Sequence, residues 1–91
     1  ELTQAVNLDP TSADARINLG LVYLVMKDWE SAAEQFREAI MQDDSIADAH
    51  AYLGECYAEL EQMRKAKAEF EQALRLEPDH EPARQRLLNL I

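Results

Sequence analysis

The chain has 91 residues, with 18 acidic and nine basic side chains and a formal net charge of −9 at pH 7. That length suits one small unit, and that charge argues against binding to nucleic acid or to an anionic membrane surface, because both attract Lys and Arg. Hydrophobic residues account for 47% of the chain, which favours a packed core and argues against disorder.

No segment approaches the roughly 20 consecutive apolar residues of a transmembrane helix, so membrane insertion is not predicted. The single cysteine excludes a disulfide within the chain, and no signal peptide is recognisable. Because the chain begins at Glu1 rather than at Met, we expect it to be a piece of a longer protein whose targeting signals lie elsewhere. The sequence names no compartment, and the cytoplasm is favoured.

An internal repeat with a period of 34 residues organises the chain. A fixed period of this length is typical of a solenoid, in which short units bury their apolar faces against their neighbours. The ending of each copy recurs near the N-terminus, so we assign residues 1–10 to the second half of a preceding repeat. Residues 11–46 and 47–80 are then two full repeats, and residues 81–91 are a capping or truncated helix of a third. The two copies share Ala13/Ala47, Asp14/Asp48, Ala15/Ala49, Leu19/Leu53, Gly20/Gly54, Tyr23/Tyr57, Ala32/Ala66, Phe36/Phe70 and Ala39/Ala73.

Helical periodicity predicts two helices in the first full repeat, over about residues 12–26 and 29–42. Hydroxyl side chains at the start of the first helix, and Asp28 before the second, are suited to accept free backbone N–H groups as N-caps. The first helix carries one apolar stripe for the core, made of Leu19, Gly20, Tyr23 and Met26.

The second full repeat predicts helices over about residues 46–60 and 63–76, with Ser45 opening the first of them. Asp79 is predicted to cap a last helix that runs to the end of the chain. Pro82 is compatible with that helix, because proline is tolerated in a first turn.

Small residues recur where the paired helices are expected to cross. Two antiparallel helices joined by a short turn pack closely only where the side chains between them are small. The aromatic rings of Phe36 and Phe70 are predicted to fill the space beside each crossing. The small residues are Gly20 and Ala32 in the first repeat, and Gly54 and Ala66 in the second.

This pattern resembles the tetratricopeptide repeat (TPR) family. The resemblance rests on Leu19, Gly20, Tyr23, Ala32, Phe36 and Ala39, on their counterparts in the second copy, and on the closing Pro78. It implies an all-α, right-handed α-solenoid of antiparallel helix pairs. It also implies a protein-interaction scaffold that binds an extended or helical segment on a concave face, lined by the first helix of each repeat.

The chain departs from the family pattern at several positions. Arg16 and His50 stand where the family usually has a Trp. Lys27 and Glu61 replace the usual turn glycine, which predicts less regular turns. Leu88 occupies the position of the close-packing glycine in the partial third copy, which suits a capping helix or a chain cut before the next helix.

The resemblance places eight candidate partner-binding residues on the concave face. The groove residues of the first repeat are mostly apolar, whereas those of the second include acids. The first helix is therefore apolar on almost every side, and such a helix is expected to be covered. One interpretation is an interface, in which a partner segment or a second copy of the chain covers this helix. The other is that a preceding repeat, or Leu2 and Val6, covers it; both interpretations stay open. The residues are Ile17, Asn18, Leu21, Leu24 and Val25 in the first repeat, and Tyr52, Glu55 and Glu59 in the second.

One TPR subfamily grips acidic C-terminal tails of chaperones with a clamp of Lys, Asn and Arg side chains. At the matching positions this chain has Ile17, Leu21, Tyr52, Pro82 and Arg86, of which only Arg86 is suitable. We therefore do not expect chaperone-tail binding. Acidic groove residues favour a protein or peptide partner that is apolar or basic.

No catalytic, metal or cofactor site is predicted. His50 and Cys56 point to different faces of one helix, the only other histidine is His80, and no phosphate-binding glycine loop is present. We interpret the chain as a non-catalytic protein-interaction scaffold. Two alternatives remain: a self-association module that forms a homo-oligomer, and a substrate-recruiting segment of a larger enzyme.

Overall fold

The computed structural model describes residues 12–90, which form five α-helices and contain no β-strand. This confirms the all-α prediction, and two of the helices have the predicted bounds. The half repeat predicted over residues 1–10 lies outside the described residues. The helices are α1 (Ala13–Val25), α2 (Trp29–Gln42), α3 (Ala47–Glu59), α4 (Met63–Leu76) and α5 (Glu81–Leu90).

The helices stack in chain order. Each packs against the next one along the sequence, and α3 also contacts α5. The outcome is an elongated body of 41 × 26 × 19 Å, as expected for an α-solenoid of helix pairs. No helix within residues 12–90 has the length and apolar character needed to cross a membrane.

The two glycines allow the paired helices to approach closely, as predicted. A Cβ atom built on Gly20 would lie 2.6 Å from the Phe36 ring, and one built on Gly54 would lie 2.8 Å from the Phe70 ring. Both rings are fully buried between their helices. Ala32 is buried in the same core. The repeated Gly and Phe pair therefore sets the distance between the two helices of each repeat.

Three helices begin with a side-chain cap, and two predicted caps are wrong. Ser12 and Asp28 accept N–H groups of α1 and α2 as expected. Ser45 does not cap α3, because α3 starts one residue later and the cap position is taken by Ile46; the N–H and hydroxyl of Ser45 both donate to Asp43. Asp79 does not cap α5. Instead, Nδ1 of His80 accepts the N–H of Ala83 at 3.2 Å.

Both helix-pair turns are regular, so the prediction of less regular turns is wrong. Lys27 and Glu61 adopt the left-handed conformation with φ of 62° in each case. In the first turn the N–H of Asp28 donates to the carbonyl of Tyr23 at 2.9 Å, and the N–H of Lys27 donates to that of Leu24 at 3.0 Å. The second turn repeats both bonds at 2.8 and 3.0 Å. This is the Schellman ending of a helix, formed twice without glycine.

One side of α1 remains exposed, contrary to the predicted core stripe. Leu19 is 40% exposed and Met26 65%, whereas Gly20 is buried. On α3, the residue that matches Leu19 is Leu53, which is only 2% exposed because it faces α2. Val22 is likewise 52% exposed. No described helix precedes α1, so this face, called here the α1 edge (Leu19, Val22 and Met26), lacks the cover that α2 gives to α3.

Candidate functional site

A small cavity lies between α3 and α5, the first helix of the second repeat and the helix that follows it. Its volume is ≈ 40 Å³. The buried ring of Phe70 and the methyl group of Ala51 form an apolar part of its wall, and charged groups surround them. The lining residues are Asp48, Ala51, Tyr52, Glu55, Phe70, His80, Pro82 and Arg86.

Tyr52 forms one wall of the cavity and is held by the repeat before it. Its ring stacks on Phe36 of α2, with the ring centroids 5.4 Å apart and the planes inclined by 26°. Burial raises the pKa of the Tyr52 phenol, and the nearby carboxylates of Asp48 and Glu55 raise it further. The hydroxyl therefore stays protonated at neutral pH and is available as a hydrogen-bond donor.

The single arginine of the cavity is already paired. Nη2 of Arg86 lies 2.9 Å from Oε2 of Glu55, so the ion pair joins α5 to α3 across the cavity. The Glu55 side chain is 22% exposed and that of Arg86 is 48% exposed. An incoming acidic ligand would have to compete with Glu55 for the guanidinium group.

His80 closes the same cavity at the start of α5. Its Nδ1 accepts the N–H of Ala83, so this nitrogen carries no proton in the bond. Its Nε2 lies 2.6 Å from Oδ1 of Asp48 and therefore acts as the donor in that bond. The ring thereby fixes one oxygen of Asp48 while the rest of that side chain faces solvent.

The predicted partner-binding residues fall into three groups. Tyr52 and Glu55 lie together in the cavity wall. Ile17, Leu21 and Leu24 of α1 are half-buried and pack against the core, so only part of each side chain is available to a ligand. The last group is exposed and consists of Asn18, Val25 and Glu59.

Sequence reasoning missed the part that His80 plays in this cavity. The signal was the repeat itself. Ser12, Ile46 and His80 are spaced 34 residues apart, and each occupies the N-cap position of its helix. Ser12 and His80 also accept a backbone N–H there with their side chains. The first helices of successive repeats lie side by side in this type of fold. An N-cap residue of α5 is therefore expected beside α3, where His80 lines the cavity.

The cavity presents groups that can form hydrogen bonds and apolar contacts with a ligand. Within residues 12–90, no group of three or more His, Cys, Asp and Glu side chains is positioned to hold a metal ion. Cys56 is fully buried, and burial raises the pKa of its thiol to about 12, which suppresses the reactive thiolate. The cavity offers apolar walls and carboxylate acceptors.

Comparison with known proteins identifies the repeat pattern. Two models of the tetratricopeptide repeat match the sequence, one over residues 26–91 and the other over residues 1–45. No curated protein sequence matches this chain.

Solved structures share the fold over nearly the whole chain. The second TPR domain of human RPAP3, in complex with the HSP70 peptide SGPTIEEVD, is 30% identical to this chain with a TM-score of 0.86, covering 97% of this chain and 73% of that one. The Arabidopsis OM64 TPR domain is 26% identical with a TM-score of 0.88 and the same coverage of 97% and 73%. The first TPR of Spaghetti (RPAP3), bound to the HSP90 peptide SRMEEVD, is 24% identical with a TM-score of 0.88 and shows the fold alone.

Proposed function

This chain belongs to the tetratricopeptide repeat family, and on that premise we propose that it is an interaction module that binds a peptide or helical segment of another protein on its concave face. Tetratricopeptide repeats are generally non-catalytic interaction modules. The observation that carries the proposal is the cavity between α3 and α5, where Tyr52, Ala51 and Pro82 supply apolar surface beside charged groups. A similar domain, the second TPR domain of human RPAP3, holds a peptide.

The charge of the concave face favours a partner that is apolar or basic. Asp14 and Glu59 are exposed on α1 and α3, and the Asp48 side chain is 63% exposed. Arg86, the one basic side chain that lines the cavity, is paired with Glu55. The peptide bound by the RPAP3 domain carries two glutamates and ends in an aspartate. A peptide of that type would meet carboxylates here, and like charges repel.

A peptide array tests both the binding and its preference. The array carries apolar nonapeptides in matched basic, neutral and acidic versions, together with SGPTIEEVD. We expect the basic versions to be retained best, and their retention to fall as salt rises, because exposed charges are screened within about 8 Å at physiological ionic strength. Retention of the acidic versions instead would contradict the preference, and retention of none would contradict peptide binding.

Charge reversal on the concave face locates the binding surface. Asp14→Lys with Glu59→Lys changes two exposed acids on α1 and α3, and we expect it to weaken retention of the basic peptides about tenfold or more. The matched control is Glu30→Lys with Glu34→Lys, which makes the same change in net charge at exposed positions of α2. Equal weakening by both pairs would mean that net charge alone, and not this face, governs retention.

Self-association is the second candidate function, and the α1 edge favours it. Three large apolar side chains are exposed there, and Val25 beside them is 82% exposed. Exposed apolar clusters commonly mark protein interfaces. If the repeats are residues 11–46 and 47–80, a preceding repeat would stack on this same edge. Light scattering after size exclusion tests self-association: a dimer that Val22→Glu converts to monomer supports it, and a monomer at high concentration rejects it.

A further inference from the structure

His50 is buried in the first half of α3, and both of its ring nitrogens face oxygen acceptors. Nδ1 lies 2.8 Å from Oε1 of Glu69 in α4. Nε2 lies 3.1 Å from the backbone carbonyl oxygen of Asp44, in the turn between α2 and α3. A carboxylate and a carbonyl can only accept hydrogen bonds, and a neutral imidazole has only one N–H. Only the imidazolium form can therefore donate in both bonds at once.

The surroundings of His50 also favour the proton. The hydrogen bond to Glu69 raises the pKa of the imidazole, and this effect is opposed by burial, which disfavours the charged form. The Asp44 carbonyl and the charges of Glu69 and Asp44 raise the pKa further. The ionisable groups that act on the ring, Glu69 from α4 and Asp44 from the turn, are thus both acidic.

The first repeat joins its two helices at the matching positions with a residue that does not titrate. Arg16 and Gln35 lie 34 positions before His50 and Glu69, and Nη1 of Arg16 donates to Oε1 of Gln35 at 3.2 Å. Arg16 also lies 3.1 Å from Glu38. The guanidinium group stays charged at all ordinary pH values. The two copies therefore use one position to join the first helix of a repeat to the second, and only the second copy places a histidine there.

We propose that His50 is a pH-sensitive link between the two repeats, in which its imidazolium group ties the α2–α3 turn to α4. When the ring loses its proton, it keeps one N–H, and either Glu69 or the Asp44 carbonyl loses its donor. The affected bonds connect the end of the first repeat to the second helix pair. In a repeat stack, such contacts between neighbours supply much of the stability.

The sign of the pH dependence follows from the direction of the pKa change. The folded-state pKa of His50 is raised above the ordinary value of 6.5. Its contribution to stability is therefore fully present below that value and is lost as the pH rises through the folded-state pKa.

NMR of the unaltered chain tests the link directly, since it contains only two histidines. Long-range ¹H–¹⁵N spectra recorded through about pH 5 to 9 should show both nitrogens of His50 protonated below the titration midpoint, and that midpoint should lie above the value of about 6.5 for a free histidine. Glu69→Gln should lower that midpoint. A midpoint at or below the free value, or a single protonated nitrogen at the free midpoint, would overturn the proposal.

Thermal unfolding tests the consequence for the stack. Transplanting the pair of the first repeat, with His50→Arg and Glu69→Gln, replaces the titrating donor by a permanently charged one. The wild type should lose Tm as the pH rises above about 6.5, and the double variant should lose less of it. His80→Gln, which removes the other histidine, should show the same fall of Tm with rising pH as the wild type. The same loss of Tm in the wild type and in the folded double variant would assign the pH dependence to other groups and reject the link.

Discussion

At the scale of single residues, two glycines and two phenylalanines determine how the helices of each pair meet. The Cα hydrogens of Gly20 and Gly54 are the only groups between the backbone of the first helix and the ring of the second. Both rings are fully buried, so a ring displaced by an added methyl group would have to push into the close-packed core. A helix normally gains stability from replacing glycine by alanine, but here the space for a methyl group is absent.

Gly54→Ala should therefore lower the free energy of unfolding. Overpacking costs about 1–3 kcal/mol, against a gain of about 1 kcal/mol in helix propensity. Chemical denaturation measures the net change. The matched test adds Phe70→Leu, which frees space at the contact, so the double variant should lose less stability than the sum of the single variants. Additive losses would show that the alanine methyl group does not meet the ring.

Cys56 should be unreactive until the protein opens. Burial is the main cause of its raised pKa of about 12, and Glu55 adds to it, so the folded protein contains almost no thiolate at neutral pH. A thiol reagent should modify Cys56 at least about 100-fold more slowly than an exposed thiol, because reaction requires local opening. The matched control moves the cysteine, with Cys56→Ala and Val25→Cys, since Val25 is 82% exposed. Similar rates in the two proteins would contradict the burial of Cys56.

At the scale of secondary-structure elements, the turns inside each pair depend on backbone conformation more than on residue type. Lys27 and Glu61 are both left-handed, a conformation that costs a residue with a side chain roughly 1–2 kcal/mol relative to the right-handed form. The Schellman hydrogen bonds and the packing of the helices impose it. The turn position at which the family usually has glycine thus accepts Lys27 and Glu61 here, with the left-handed conformation and the Schellman hydrogen bonds retained.

Lys27→Gly and Glu61→Gly should each stabilise the fold by up to about 1 kcal/mol, because glycine adopts the left-handed region without steric cost. Urea denaturation at constant pH measures the gain. Glu59→Gly is the control: it puts glycine inside the last turn of α3, where it should destabilise by about 0.5–1 kcal/mol. Loss of stability in all three variants would show that the turns carry no strain.

The helix ends also show what a sequence can and cannot specify. Ser12 and Asp28 were predictable as caps, because each is a good acceptor directly before an apolar helical pattern. Ser45 satisfies the same rule and yet does not cap, because α3 starts one residue later, with Ile46 at the cap position. Histidine is not a usual cap, so residue type alone did not indicate the bond of His80 to Ala83, although His80 stands one period after the N-cap position of α3.

At the scale of the whole molecule, α3 is the most completely covered helix of the described stack. It packs against α2, α4 and α5, and eight of its residues are buried, whereas α1 buries only Gly20. Period and composition were enough to predict the solenoid and its core, because every repeat uses the same positions. The polar links Arg16–Gln35 and His50–Glu69 and the cavity beside α5 depend on contacts 19 or more residues apart, and no local pattern indicated them.

Hydrogen exchange should follow this difference in cover. Amides of α3 are expected to exchange slowest, because opening them disrupts contacts with three other helices. Amides of α1 should exchange faster, since one face of that helix is exposed. Mass spectrometry of peptic fragments after deuterium labelling measures both. Equal protection of α1 and α3 would indicate that the described helices open as one unit.

Leu88 bears on how the stack can grow. It stands 34 residues after Gly54, on α5, and its side chain is 63% exposed. A further helix that packed on α5 as α4 packs on α3 would bring a phenylalanine ring against the Leu88 side chain. Such a helix must lie farther from α5 or carry a smaller residue at that position, and Leu88→Gly would provide on α5 the space that Gly54 provides on α3.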